Sequence, residues 1–174
     1  MPHDVRGFII ARGAFVGPSD PPYLEVCDEK ASGTDGGGFT SGSWQTRTLN
    51  TVVNNTINGS SLGSNQITLP VGSYYIDASA PAGFVNSHVI RLRDVTNGVT
   101  LLPGSTSYSP ASGAFNQTHS FLSGRFSLDS NVNLEIQHQC SSTRAADGFG
   151  LAANFGQVEI YAHVIIWKVT TKVI

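Results

Sequence analysis

An all-β sandwich or barrel is the fold that this 174-residue sequence predicts, and three observations predict it. No window carries apolar residues at the three-to-four-residue period of an amphipathic helix. Glycine, proline, asparagine and serine interrupt the chain about every ten residues, the turn spacing of sandwiches and barrels. Between the interruptions, short runs alternate apolar and polar residues, so one face of each suits a core and the other suits water.

Residues 1–38 stand apart from that pattern. An apolar cluster, Phe8, Ile9, Ile10, Phe15 and Val16, precedes "GPSDPPYLEVCDEK" and the glycine-rich "ASGTDGGGF". Proline followed by a glycine run reads as a linker, and the cluster is too short to fold alone. The expectation is an N-terminal arm over 1–38 that docks on a surface, then a domain over 39–174.

Within that domain the first strand falls over Trp44–Val53, and "NNTINGSS" turns the chain into Gln66–Leu69. "LPVG" leads into Ser73–Ala80. In His88–Val95, Ile90 and Leu92 point one way while Arg91 and Arg93 point the other. "TNG" at 96–98 turns into Thr100–Leu102. In His119–Leu128, Leu122, Phe126 and Leu128 share a face across Gly124. "LDSN" leads to Asn133–Gln139, where Leu134 and Ile136 oppose Glu135 and Gln137. A long small-residue loop, 141–156, precedes the last strand, Val158–Val169.

That last strand differs in kind. Val158, Ile160, Ala162, Val164 and Ile166 form one side, and Glu159, Tyr161, His163, Ile165 and Trp167 the other. Both are apolar enough to need cover. A single aromatic can bury about 150–250 Å², and monomers rarely leave a contiguous apolar patch of several such residues exposed. Covering the second side is worth roughly 5–10 kcal/mol per chain as an upper bound. Either the N-terminal arm or another subunit supplies that cover. Glu159 and His163 favour the subunit, because they suit a partly hydrated symmetric interface.

Composition narrows the function classes. Charged residues make up 13% of the chain, against roughly 25% in an ordinary soluble domain. Ser, Thr, Asn and Gly take their place. The net charge of −2 and the lack of a basic run give a nucleic-acid backbone little to hold. The longest apolar runs, "FII" and "VIIW", are far short of a membrane span, and "MPHDVRGFIIARG" lacks the centre of a signal peptide. Cys27 and Cys140 lack metal-type spacing; two reduced thiols or a bridge both fit. The Asn-x-Ser/Thr sequences at Asn54, Asn58 and Asn116 read as turn residues.

No reaction chemistry emerges. Glycoside cleavage needs two carboxylates a few ångströms apart; Asp77 and Glu135 are the conceivable pair, yet each fits the polar face of an ordinary strand. The five histidines form no local ligand pair, and His163 suits an interface hydrogen bond better than a metal. No cofactor or metal is expected. The loop over 141–156 is the best candidate for a binding surface, through Thr143, Arg144, Asp147, Phe149 and Asn154. "DGFG" also fits a tight turn with Phe149 tucked into the core, and that reading is preferred to a ligand contact.

The stretches "TSGSWQTRTLN", "SNQITLPVGSYYI", "GRFSL", "LEIQHQC", "DGFG" and "VEIYAHVIIWKV" together resemble a family of bacteriophage and prophage virion proteins. The resemblance runs from Asp28 to about Val169. It implies a domain similar to the C1q/TNF jelly roll, a sandwich of about ten antiparallel strands that assembles as a homotrimer. It also implies a central place for the last strand against a threefold axis, with Tyr161, His163, Ile165 and Trp167 at the trimer interface. The function implied is a structural virion protein, either a tail fibre or tail-tip appendage or a capsid decoration protein. Its partners would be itself, another virion protein through Phe8, Ile9, Ile10, Phe15 and Val16, and a bacterial surface glycan or protein.

Overall fold

A computed structural model describes residues 21–113 and 116–169, so the apolar cluster from Phe8 to Val16 lies outside the described residues. Every regular element among them is a strand, in two antiparallel sheets. The strands are β1 (Tyr23–Lys30), β2 (Gln45–Thr46), β3 (Thr51–Asn55), β4 (Ser61–Gly63), β5 (Gln66–Leu69) and β6 (Gly72–Gly83). There follow β7 (Asn86–Asp94), β8 (Val99–Pro103), β9 (Ser107–Ser109), β10 (Gln117–Leu128), β11 (Val132–Cys140) and β12 (Glu159–Lys168). One sheet has the order β10-β6-β12-β1-β3. The other has the order β4-β5-β11-β7-β8, with β2 added to β11 and β9 to β7.

Period-two alternation sends one row of each strand into the space between the sheets. From the five-stranded sheet come Leu24, Val26, Tyr74, Ile76, Leu122, Phe126, Val164 and Ile166; from the other come Ile67, Leu69, Ile90, Leu92, Leu134 and Ile136. The all-β sandwich and the alternation read from "HVIRLRD", "NLEIQHQ" and "SFLSGRFSL" are as predicted. Arg91, Arg93, Glu135 and Gln137 lie on the outer side of the seven-stranded sheet, paired by register across β7 and β11. The last strand is central, between β6 and β1.

Three expectations need correction. The sandwich already includes Tyr23–Lys30, ahead of residue 39, because β1 is an inner strand hydrogen-bonded to β12 on one side and β3 on the other. The prolines of "PPYLEVCDEK" suggest a linker, but its Leu24 and Val26 are fully buried.

The glycine-rich "ASGTDGGGF" is likewise no flexible tether. It is hydrogen-bonded along the 141–158 loop, with Gly36 N–H donating to Gly150 O (2.8 Å), Phe149 N–H to Gly37 O (2.9 Å) and Phe39 N–H to Arg144 O (2.7 Å). The glycines serve close backbone approach. A Cβ on Gly38 would sit 2.4 Å from Ala145 O, and one on Gly36 would sit 2.7 Å from Phe149 O.

The single strand expected over Trp44–Val53 is two, β2 and β3, which belong to different sheets. Between them the chain crosses the sandwich, turning Arg47 and Leu49 inward.

Candidate functional site

The outward face of the five-stranded sheet is the place where the sequence predicted an interface, and register fixes what stands there. Tyr23, Trp167, Tyr75 and Arg125 form one row across β1, β12, β6 and β10. Glu25, Ile165, Asp77 and Ser123 form the next, and Cys27, His163, Ser79 and Phe121 the third. The Trp167 and Tyr75 rings lie 5.9 Å apart. Phe121 is 57% exposed, and Ile165 and Trp167 are only half-buried. A groove of about 260 Å³ runs between Phe121, Asp77, Ser79, His163 and Ile165. His163 Nε2 is 2.9 Å from Glu25 Oε1, so the imidazole has a carboxylate partner within its own chain.

Tyr161 does not share this exposure. Glycine at position 150 lets the 141–158 loop lie directly on the Tyr161 ring, where a Cβ would approach to 2.3 Å. The Tyr161 hydroxyl donates to Thr34 O at 2.7 Å. Burial is the main reason its phenol is pushed up to about 12. The chain's own loops therefore cover Tyr161, and the open part of the predicted interface is His163, Ile165 and Trp167. Sequence reading missed Phe121 and Tyr75. Their signal was present, since Phe121 alternates with the inward Leu122 and Tyr75 with the inward Tyr74 and Ile76.

The 141–158 loop is laced inward rather than held out. Glu159, at the start of β12, accepts from Gly33 N–H (3.0 Å), Asn154 N–H (2.8 Å) and Ala153 N–H (3.1 Å). Those bonds, Gly33 foremost, hold its carboxyl below the ordinary range. Glu159 is thus a loop clasp and not a polar member of the open face. Asp147 is buried and ion-paired with Arg144. Phe149 packs its ring 4.4 Å from Phe39 and lies 4.2 Å beneath the Arg47 guanidinium. The core-tuck alternative for "DGFG" is the one the structure adopts, which withdraws Asp147 and Phe149 from the recognition set. Thr143, Arg144 and Asn154 remain exposed. Phe155, absent from the sequence reading, is 88% exposed.

Arg47 is fully buried, with no carboxylate in contact among the described residues. Nη1 donates to Pro81 O (3.3 Å), Nη2 donates to Phe149 O (3.0 Å), and Nε has no partner among the described residues. Burial lowers its pKa to about 10, offset in part by Asp28, so it stays charged at neutral pH. Beside it, His88 Nδ1 is 3.0 Å from His138 Nε2, and His88 Nε2 is 2.9 Å from Thr118 Oγ1.

One proton arrangement satisfies this chain best. His138 Nε2–H donates to His88 Nδ1, His88 Nε2–H donates to Thr118 Oγ1, and the threonine hydroxyl donates to Tyr108 O. His138 Nδ1, which lacks a partner among the described residues, is then a bare acceptor, less costly to bury than an orphaned N–H.

The carboxylates do not form a hydrolytic pair. Asp77 and Glu135 lie on the outer faces of opposite sheets. Glu135 is spent on Thr46 (2.7 Å), Gln66 (2.9 Å) and Gln137 (2.7 Å). Burial opposes its charge, but those three bonds keep its pKa below the ordinary carboxylate value. Cys27 and Cys140 are both buried free thiols.

No family model matches the sequence, and no curated protein matches it. Solved structures do. The globular domain of zebrafish complement 1qA protein aligns with a TM-score of 0.56 at 14% identity, over 87% of this chain and 99% of that one. Murine APRIL, crystallised at pH 5.0, aligns with a TM-score of 0.53 at 10% identity, over 86% of this chain and 99% of that one. At such identities the likeness speaks to architecture alone. The two antiparallel sheets and their strand order give this chain the C1q/TNF-type jelly-roll fold.

Proposed function

We propose that the chain is a homotrimeric, non-enzymatic structural protein of a tailed-phage virion. The observation that carries the trimer is the outward face of the five-stranded sheet. Trp167, Ile165, Tyr75 and, on the edge strand β10, Phe121 stand half-buried or exposed across it, next to polar groups that suit a hydrated threefold contact. Three copies packed through this face remove that apolar surface from water, and the closed symmetry leaves no further copy to recruit. The virion assignment rests on the sequence resemblance. In this reading residues 1–20 attach the particle-facing end to another virion protein. The appendage is of tail-fibre or tail-tip type, and Thr143, Arg144 and Asn154 are available to a bacterial surface glycan or protein. Capsid decoration is the second reading; it uses the same trimer and differs in what residues 1–20 bind.

Sedimentation of dilute protein tests the trimer. A single trimeric species is expected, with Trp167→Glu and Phe121→Glu each giving folded monomer. A monomeric wild type, or a variant still trimeric, overturns the interface. Retention of the purified protein on tailless heads favours decoration, and binding to host cells favours the appendage.

A further inference from the structure

We propose that the outer side of the seven-stranded sheet carries a binding site for an uncharged saccharide, in the depression between the ends of β7 and β11. The depression measures about 450 Å³, within the range of about 300–1,000 Å³ typical of small-molecule sites. Gln139, Ser87, Thr106, Ser41 and Ser141 bring amide and hydroxyl groups to it, and Val89 supplies an apolar wall.

The polar groups on this sheet follow a pattern that breaks at the depression. Along the rest of the face they are spent on one another. Thr68 donates to Asn133 (2.9 Å), Glu135 takes its three bonds, and Arg91 donates through Nε and Nη2 to Gln137 Oε1 at 3.0 and 2.7 Å. Arg91 also stacks 4.0 Å from the Trp44 ring. One step further along the ladder, the side chains of Gln139, Ser87 and Thr106 make no hydrogen bond to other described residues. Unused bonding capacity therefore collects where the surface is concave.

The character of that capacity selects the ligand. Among the described residues, no carboxylate, ammonium or guanidinium lines the depression. His88 on its floor has both ring nitrogens engaged, and burial pushes it down to about 4. A phosphate, a carboxylate or an ammonium would surrender its hydration with nothing to compensate. Hydroxyls and a primary amide each donate and accept, which matches the hydroxyl and acetamido groups of a neutral sugar. Tyr108, 57% exposed, stands across the β7–β9 ladder from Ser87 and offers a ring at the rim for a sugar's C–H face. The site is complete within one chain and lies on the sheet opposite the proposed trimer face, so it does not depend on the assembly.

The test is NMR titration of isotope-labelled full-length protein with N-acetyl-D-glucosamine and D-glucose, with N-acetylneuraminic acid as the charged comparison. Neutral sugars are expected to shift the Gln139 side-chain amide and the Ser87 and Thr106 backbone amides, and the anionic sugar is not. Gln139→Ala should weaken binding by about five-fold, the loss of one ordinary hydrogen bond. Thr106→Trp, which fills the depression from an exposed position, should abolish the shifts with the melting temperature unchanged. The proposal is overturned if neither neutral sugar moves these resonances at tens of millimolar, a range that covers weak single-sugar binding. It is also overturned if the anionic sugar moves them as strongly, if an uncharged Ser-Gly-Ser peptide moves them more, or if a folded Thr106→Trp protein binds as before. Each of those outcomes leaves the sedimentation result untouched.

Discussion

Arg47 shows how one side chain can join three parts of a sandwich. Its backbone N–H bonds Ile136 O in β11 (2.8 Å), while the guanidinium reaches Pro81 in β6 and Phe149 in the loop. Arg47→Ala removes two charge-assisted bonds to carbonyls and the platform over Phe149, leaving two buried acceptors unsatisfied. A loss of about 3 kcal/mol is expected, to be read from urea unfolding.

The neighbouring histidines set the acid limit. In the fold, burial pushes His88 from 6.5 to about 4, and His138 falls well below its ordinary value for the same reason. The unfolded chain binds protons that the fold refuses, so stability is full above pH 6.5 and falls as pH drops toward 4. His88 alone accounts for a loss of roughly 3 kcal/mol across that window. Thermal melts at stepped pH should show the decline, and His88→Gln should flatten its upper part.

At the scale of elements, the contrast between β12 and the stretch before Phe39 shows what sequence can disclose. β12 was legible because both its sides are apolar, a property carried by its own residues. β1 was not, because the two prolines before it and the glycines after it carry the same signature as a linker. Only the pairing of Leu24 and Val26 opposite Ile166 and Val164 shows what those residues do. The loop likewise looked free because its backbone partners lie more than 100 residues away, as in Ser41 with Thr143 and Gly36 with Gly150. Pairings of that range leave no local period to read. The glycines of 36–38 are therefore tested as packing residues. Gly38→Ala drives a methyl into Ala145 O, and backbone on both sides must shift to admit it. A loss of about 2 kcal/mol is expected, measurable by thermal unfolding, together with faster amide exchange at Phe39 and Arg144. A tether glycine would tolerate alanine without cost.

For the whole molecule, the position of the domain boundary has a direct experimental reading. Deleting residues 1–20 leaves β1 to β12 intact, and soluble, folded protein is expected. Deleting 1–38 removes an inner strand, opens the sheet between β12 and β3, and exposes the Val164 and Ile166 backbone. Insoluble or molten protein is expected there, visible as loss of dispersion in a proton NMR spectrum. Equal folding of both truncations would return the boundary to residue 39.

Because β1 and β12 lie side by side, Glu25 meets His163 across 138 positions of sequence. A nascent polypeptide emerging from the ribosome can pair β1 with β3 early, but it holds the other side of β1 without a neighbour until β12 has been translated. Maturation is slow for such distant closure, and the unmated edge is a standing invitation to the wrong chain. Synthesis on crowded polysomes should therefore need chaperone cover that refolding of dilute, finished chains does not.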